Sequence, residues 1–129
     1  MSLYRGMDRA ALDAAYNNTT AVANSAALLA DFRARSDRLR AEKAAHLDLR
    51  YGTAERNRID YFAADARGPI FAFIHGGYWR GMDKSDFSWV APAFAEHGIS
   101  VALPNYTLVP KVTIEDIVRQ MLEIGRAHV

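Results

Sequence analysis

The stretch Ile70-Phe71-Ala72-Phe73-Ile74-His75-Gly76-Gly77-Tyr78-Trp79-Arg80 runs five uncharged, largely β-forming residues into a histidine, a glycine pair and two aromatics. A short apolar run after Gly68-Pro69 predicts a buried strand. The exit of such a strand is where open α/β sheets bind ligands. Adjacent glycines carry no β-carbon, so the backbone can turn sharply and bring bare amides close to a ligand. Amides aimed at one point can hold a developing oxyanion, and losing one such donor typically slows a reaction about a hundred- to a thousandfold. The chemistry implied is acyl transfer. A glycine pair after a strand is also an ordinary turn, with Tyr78 and Trp79 as core aromatics, so the flanking sequence has to decide.

Downstream, Asp86 to His97 predicts a helix whose buried side is Phe87, Val90, Ala91 and Phe94 despite Pro92, with Gly98 placed to end it. Ile99 to Leu103 predicts a second continuous apolar strand. A last helix begins near Thr113, whose hydroxyl can cap it with Asp116 in the first turn; Ile114, Ile117, Val118, Met121 and Leu122 supply a packing face. Strand, helix, strand, helix in this order predicts a right-handed parallel βαβ core.

Upstream, Leu47 to Tyr51 and Arg58 to Ala63 predict two strands separated by a polar turn. Before them, Asp8 to Asn17 predicts a short helix with Leu12 and Tyr16 on one face, followed by a turn or cap at Asn17-Asn18-Thr19-Thr20. A longer helix follows from Val22 to Ala45, with Leu28, Leu29, Phe32 and Leu39 as its apolar stripe. Its Arg33, Arg35, Arg38, Arg40 and Lys43 are interleaved with Asp31, Asp37 and Glu42 at helical pairing distances, which predicts a solvated face and no basic patch.

Sixteen basic residues against fifteen acidic leave a formal charge of +1, so no global field draws the chain to nucleic acid, anionic lipid or acidic substrates. No apolar run has the length of a signal-peptide core or a membrane span, from which a soluble, cytoplasmic protein is expected. The absence of cysteine excludes disulfides, thiolate nucleophiles and zinc-thiolate sites within the chain. Neither His46 nor His97 has a partner that would make a metal site; His97, before Gly98, is expected to be a capping or surface residue.

Taken together, His75-Gly76-Gly77-Tyr78-Trp79 resembles the HGGxW signature of the α/β-hydrolase family, in particular its kynurenine formamidase (arylformamidase) and related esterase branch. The likeness extends to Tyr51-Gly52 with Ile59-Asp60-Tyr61-Phe62, similar to the paired opening strands. It also extends to Leu103-Pro104-Asn105-Tyr106-Thr107-Leu108-Val109-Pro110, similar to a DYRLxP strand exit, and to the leader helix at Asp13 to Asn17. The resemblance implies an α/β fold with leader helices and a partial, mostly parallel sheet flanked by helices. It covers nearly all of this chain and less than half of a complete family member. It further implies that the amides of Gly77 and Tyr78, with Gly76, belong to the oxyanion hole, that Trp79 and Tyr78 wall the acyl or aromatic pocket, and that His75 orients the loop without acting as the triad base. No metal or organic cofactor is implied.

The nucleophile of that fold sits in a GxSxG elbow after the fifth strand, and no GxSxG occurs here. None of Ser2, Ser25, Ser36, Ser85, Ser88 and Ser100 is flanked by glycines at that spacing. Ser85 is better placed at a helix start. The expected organisation is one incomplete domain: a helical leader over 1–45, a partial sheet with helices over 46–123, and a tail over 124–129. That tail, Ile124-Gly125-Arg126-Ala127-His128-Val129, back-translates as ATC GGA AGA GCA CAC GTC, the opening of a widely used sequencing adapter, and is expected to be non-native. The alternative is a genuine helix end with Gly125 as C-cap.

The function expected for the parent protein is serine hydrolysis of an N-formyl aromatic amine, N-formylkynurenine foremost, with this chain lacking the triad and inactive by itself. A general carboxylesterase is the alternative within enzymes. The alternative outside them is a triad-less fragment that binds an aromatic ligand or pairs with itself through Trp79, Tyr78 and a bare strand edge. The expected partner is thus a small ester or formamide, with neither nucleic acid nor membrane and with homo-oligomers possible.

Overall fold

The computed structural model describes residues 1–43 and 45–126, which divide into two compact units, one of residues 1–31 and one from residue 32 onward. In the first, α1 (Arg9–Ala15) is capped by Asp8, whose carboxylate accepts the Ala11 amide at 2.9 Å, and α2 (Asn18–Ala21) is capped by Asn17. Both caps lie where short polar side chains offer an oxygen to the unpaired first-turn amides.

Helix α3 (Ser25–Glu42) is shorter than the span to Ala45, and Ala44 lies outside the described residues. The expected stripe is also different. Leu28 and Leu29 are exposed, whereas Ser36 is fully buried and Phe32, Leu39 and Arg40 are half-buried. Positions 32, 36, 39 and 40 share one side of a helix, so the inward face of α3 carries a serine and an arginine among its apolar residues.

The second unit holds a four-stranded sheet of β1 (His46–Arg50), β2 (Arg58–Phe62), β3 (Ile70–Ala72) and β4 (Ser100–Pro104) in the order β1-β2-β4-β3. β1 pairs antiparallel with β2, and β2 antiparallel with β4; β3 runs parallel to β4 with Phe71 opposite Val101. The sheet is therefore mixed, not mostly parallel: the first two strands form a meander and only β3 and β4 are joined by a helical crossover.

That crossover begins as a 3-10 helix, Lys84–Val90, and continues as α4, Ala91–Ala95. Pro92 explains the break in what the sequence presents as one helix. A proline inside an α-helix removes an amide donor and clashes with the carbonyl four residues before. Restarting the α ladder at Ala91 puts Pro92 in a first turn, where no donor is needed. Gly98, at φ +73°, closes the segment: its amide reaches Ala95 O at 3.0 Å and the Ile99 amide reaches Phe94 O at 3.1 Å, the two bonds of a Schellman cap.

One sheet face carries Phe62, Phe71, Val101 and Leu103 against Ala91, Phe87, Phe94 and Leu39. The Phe71 and Phe94 rings stack at 4.3 Å. Every residue of β4 is buried. The Ile70–Ile74 run is less so: it is an edge strand, with Ile70 and Ile74 each about half exposed, because β4 flanks it on one side only.

Helix α5 (Ile114–Arg126) starts at a reciprocal cap in which Thr113 Oγ1 accepts the Asp116 amide and Asp116 accepts the Thr113 amide. Its packing face is narrower than the sequence suggests. Ile117 is buried, while Ile114, Val118 and Leu122 stay exposed. Gln120 anchors it, accepting from Asn57 Nδ2 at 2.8 Å and the Thr107 amide at 2.9 Å. Ile124, Gly125 and Arg126 continue this helix, so Gly125 is not its C-cap; Ala127, His128 and Val129 lie outside the described residues. Among the described residues no helix is long and apolar enough to cross a membrane.

Candidate active site

Where β3 ends, the Phe73 amide still reaches Ala102 O at 2.9 Å, and the chain then leaves the sheet at His75. His75 is buried. Its ring lies between Tyr106, at 4.6 Å, and Phe87, at 5.9 Å, nearly parallel to both. The Tyr106 hydroxyl donates to the His75 carbonyl at 2.9 Å. Nδ1 lies 2.8 Å from Gly76 O and Nε2 3.0 Å from Asn105 Oδ1. The Asn105 amide is oriented by its other contacts, since Oδ1 accepts the Lys84 amide at 2.8 Å and Nδ2 donates to Asp83 at 2.6 Å. Both ring nitrogens therefore face acceptor oxygens, Nδ1 the Gly76 carbonyl and Nε2 the Asn105 side chain. With both ring nitrogens engaged in the interior, this histidine is built to hold the loop.

The turn itself follows. Gly77 has φ +113°, and Tyr78 and Trp79 have φ 53° and 58°. Arg80 and Gly81 both donate their amides to Gly77 O, at 3.0 and 3.2 Å. A turn with positive φ at both central residues belongs to the mirror-image class, normally filled by Gly, Asn or Asp. Tyrosine and tryptophan there each cost about 1–2 kcal/mol. The glycine pair divides its work unevenly. A β-carbon on Gly77 would lie 2.4 Å from the Gly81 carbonyl oxygen, whereas one on Gly76 would meet nothing within 4 Å. Gly77 is demanded by the fold, and Gly76 borders open space. Tyr78 and Trp79 are exposed, at 65% and 46%, with Trp79 O held by the Val109 amide at 2.9 Å, next to a cis Val109–Pro110 bond.

Residues that the sequence did not single out secure the loop from behind. Arg56, in the β1–β2 turn, donates to the carbonyls of Tyr106 and Met82, both at 2.9 Å, and to Asp83 at 3.2 Å. Asp83 caps the 3-10 helix through Ser85, in a reciprocal pair with Asp86. Burial would push the Asp83 carboxyl up, yet the Ser85 amide, the Asn105 and Ser85 side chains and the Arg56 charge together outweigh it and hold it at about 2. A carboxyl held below its unfolded value of about 3.9 lends stability that is complete above about pH 4 and fades as the pH falls toward about 2. Asp83→Asn is thus expected to flatten the acid limb of the chain's urea midpoint between pH 5 and pH 2.5. An unchanged slope would show that other carboxylates carry it.

Beneath this lies a buried ionic cluster. Asp60, with no exposed surface, accepts from Arg40, from Lys84 Nζ at 2.7 Å and from the Asp48 amide at 2.8 Å; Lys84 also reaches Asp48 at 2.7 Å. Arg40 is accordingly no part of a solvated face, and Arg33 reaches across to Asp86 at 2.9 Å. The signal for Asp60 was the strand alternation, which puts it on the same side as Phe62. A charge at a core-facing position needs a partner. Nothing local in the sequence names Lys84 or Arg40 as that partner. His97 is exposed with Nδ1 3.0 Å from Ala93 O, and His46 stacks on Tyr61.

No family model matches the chain. It is 37% identical over 75 residues to the kynurenine formamidase of Drosophila melanogaster, covering 56% of this chain and 25% of that one. It is 39% identical over 71 residues to a probable isoprenylcysteine alpha-carbonyl methylesterase of rice, covering 53% and 17%. The crystal structure of a protein from Silicibacter sp., proposed to be a thioesterase, superimposes with a TM-score of 0.82 at 34% identity, over 92% of this chain and 46% of that one. Esterase B of Lactobacillus rhamnosis shares the fold with a TM-score of 0.59 at 20% identity, over 85% and 40%. The chain spans about a quarter of the length of the Drosophila relative and less than half of the solved neighbours.

Proposed function

Because this chain belongs to the esterase-like branch of the α/β-hydrolases, we propose that His75–Trp79 is the oxyanion-binding loop of a serine hydrolase that cleaves formamides of aromatic amines. The observation that carries the reading is the left-handed turn from Gly77 to Trp79 at the exit of a strand, with open space around Gly76. There, backbone amides are fixed in advance and a substrate carbonyl can approach unobstructed. In the reaction, a serine attacks the formyl carbonyl and gives up its proton, and the Gly77 and Tyr78 amides stabilise the tetrahedral oxyanion. Collapse breaks the C–N bond and expels the aromatic amine carrying that proton, and water then hydrolyses the formyl-serine to formate and free serine. Tyr78 and Trp79 supply an aromatic wall. The serine, acid and histidine of the triad lie outside these 129 residues, which by themselves are inactive.

N-formylkynurenine is the leading substrate, on the likeness to the Drosophila formamidase. A second reading, hydrolysis of carboxylic esters, is favoured by the rice methylesterases, which match at similar identity over a similar span. The test is to read the source gene past the Glu123 codon, express the continued frame, and compare kcat/KM for N-formylkynurenine and simple aryl esters. Formamide turnover blocked by a serine-directed inhibitor is expected, with none from the 129-residue chain. Preference for aryl esters would select the second reading, and inhibitor-sensitive turnover by the short chain would overturn the division of the site.

A further inference from the structure

The oxyanion loop is strained and yet defined, which asks what holds it. Tyr78, Trp79 and Met82 all sit at positive φ, and such backbone persists only where its surroundings over-determine it. The bonds to Gly77 O and Trp79 O account for the middle of the loop. Its two ends converge on a single side chain.

We propose that Arg56 is the positioning residue of this loop, a clamp that fixes both ends of the segment His75–Asp83 from the β1–β2 turn. At the far end, one guanidinium nitrogen donates to the carbonyl of Met82, at 2.9 Å, and another to the Asp83 carboxylate, at 3.2 Å. At the near end, Nε donates to Tyr106 O at 2.9 Å and Nη2 reaches Asn105 Oδ1 at 3.3 Å. Those two residues are the ones that grip His75, Asn105 through the ring and Tyr106 through the carbonyl. Four acceptors on two segments suit a planar fork of five fixed donors; a lysine ammonium, with one centre, cannot span them. Arg56 touches none of Gly76, Gly77 and Tyr78 directly, so it acts through the segments it joins. Its importance to catalysis rests on the reading of that loop as the oxyanion site.

The test uses the ¹H–¹⁵N spectrum of the 129-residue chain, which reports loop geometry whether or not the loop serves catalysis. In Arg56→Met, the amides of Gly77, Tyr78 and Trp79 are expected to lose their dispersed positions while those of Val101 and Leu103 in β4 stay in place. Arg56→Lys is expected to behave like the methionine variant despite keeping the charge, and millimolar ethylguanidinium added to Arg56→Ala is expected to restore the loop resonances. The proposal is overturned if the loop amides stay put in Arg56→Met and Arg56→Lys, or if the β4 amides move with them in both, which would make Arg56 a general support of the fold. Inactivity of the completed hydrolase with an intact loop spectrum would instead count against the oxyanion reading and leave the clamp standing.

Discussion

Gly77→Ala is expected to lower the stability of the chain by about 3 kcal/mol or more, while Gly76→Ala, one residue away, changes it by less than about 0.5 kcal/mol. At Gly77 two costs add. The backbone sits at φ +113°, which L residues avoid, and the new β-carbon would lie 2.4 Å from the Gly81 carbonyl oxygen, a backbone atom that cannot swing aside. At Gly76 neither cost arises, since its φ is not positive and its surroundings are open. Urea unfolding followed by tryptophan fluorescence compares the two. Equal midpoints would mean that the left-handed turn is not the conformation in solution. If Gly76→Ala is silent in folding but harmful in the completed hydrolase, the empty space beside it belongs to the substrate.

Asp60→Ala is expected to cost about 3–5 kcal/mol, because it removes the one buried carboxylate shared by a buried lysine and a mostly buried arginine and leaves Lys84 only the exposed Asp48. Lys84 is 3% exposed, so its ammonium depends on these carboxylates in place of a full shell of water. Domains of this size are stable by only about 5–15 kcal/mol, which places this single change near the limit of folding. Asp48→Ala is the control. Its carboxylate meets the same lysine at 2.7 Å but is 62% exposed, and exposed pairs contribute about 0–1 kcal/mol. The double variant Asp60→Leu with Lys84→Met should regain most of the loss, since an apolar replacement of a buried pair is often neutral, and Arg40 can extend its head toward solvent. A small effect of Asp60→Ala, no larger than that of Asp48→Ala, would defeat the account of a buried charge cluster.

The elements that the sequence announced correctly are those whose cause is local. Thr113 with Asp116 and Gly98 after the helical run are signals written within four residues of their effect, and each appears as a cap. The same holds for the strand read at Arg58 to Ala63 and for the apolar run of β4. Long-range consequences were not legible. Five apolar residues from Ile70 to Ile74 read as a buried strand because composition does not say whether a neighbour lies on both edges. Arg40 read as solvated, and Ser36 drew no reading as a packing residue, because a polar residue on a helix shows its partner only when a strand twenty residues on, or a helix fifty residues on, is brought beside it. At the loop, His75-Gly76-Gly77-Tyr78-Trp79 was visible as a motif, but the conformational burden fell on the aromatics as well as on Gly77. Asn105 stood within the strand-exit likeness, whereas Arg56 and Asp83, which complete its network, had no sequence signature.

That network has a consequence for anyone who would transplant the loop. His75 is fixed by residues thirty and thirty-one positions later in the chain, and Met82 by one twenty-six positions earlier. A peptide of the loop alone, or a graft onto another strand, would carry the motif and leave its shape behind. The portable unit is three pieces, residue 56 with its turn, residues 75–83, and residues 105–106, moved together with their spacing intact.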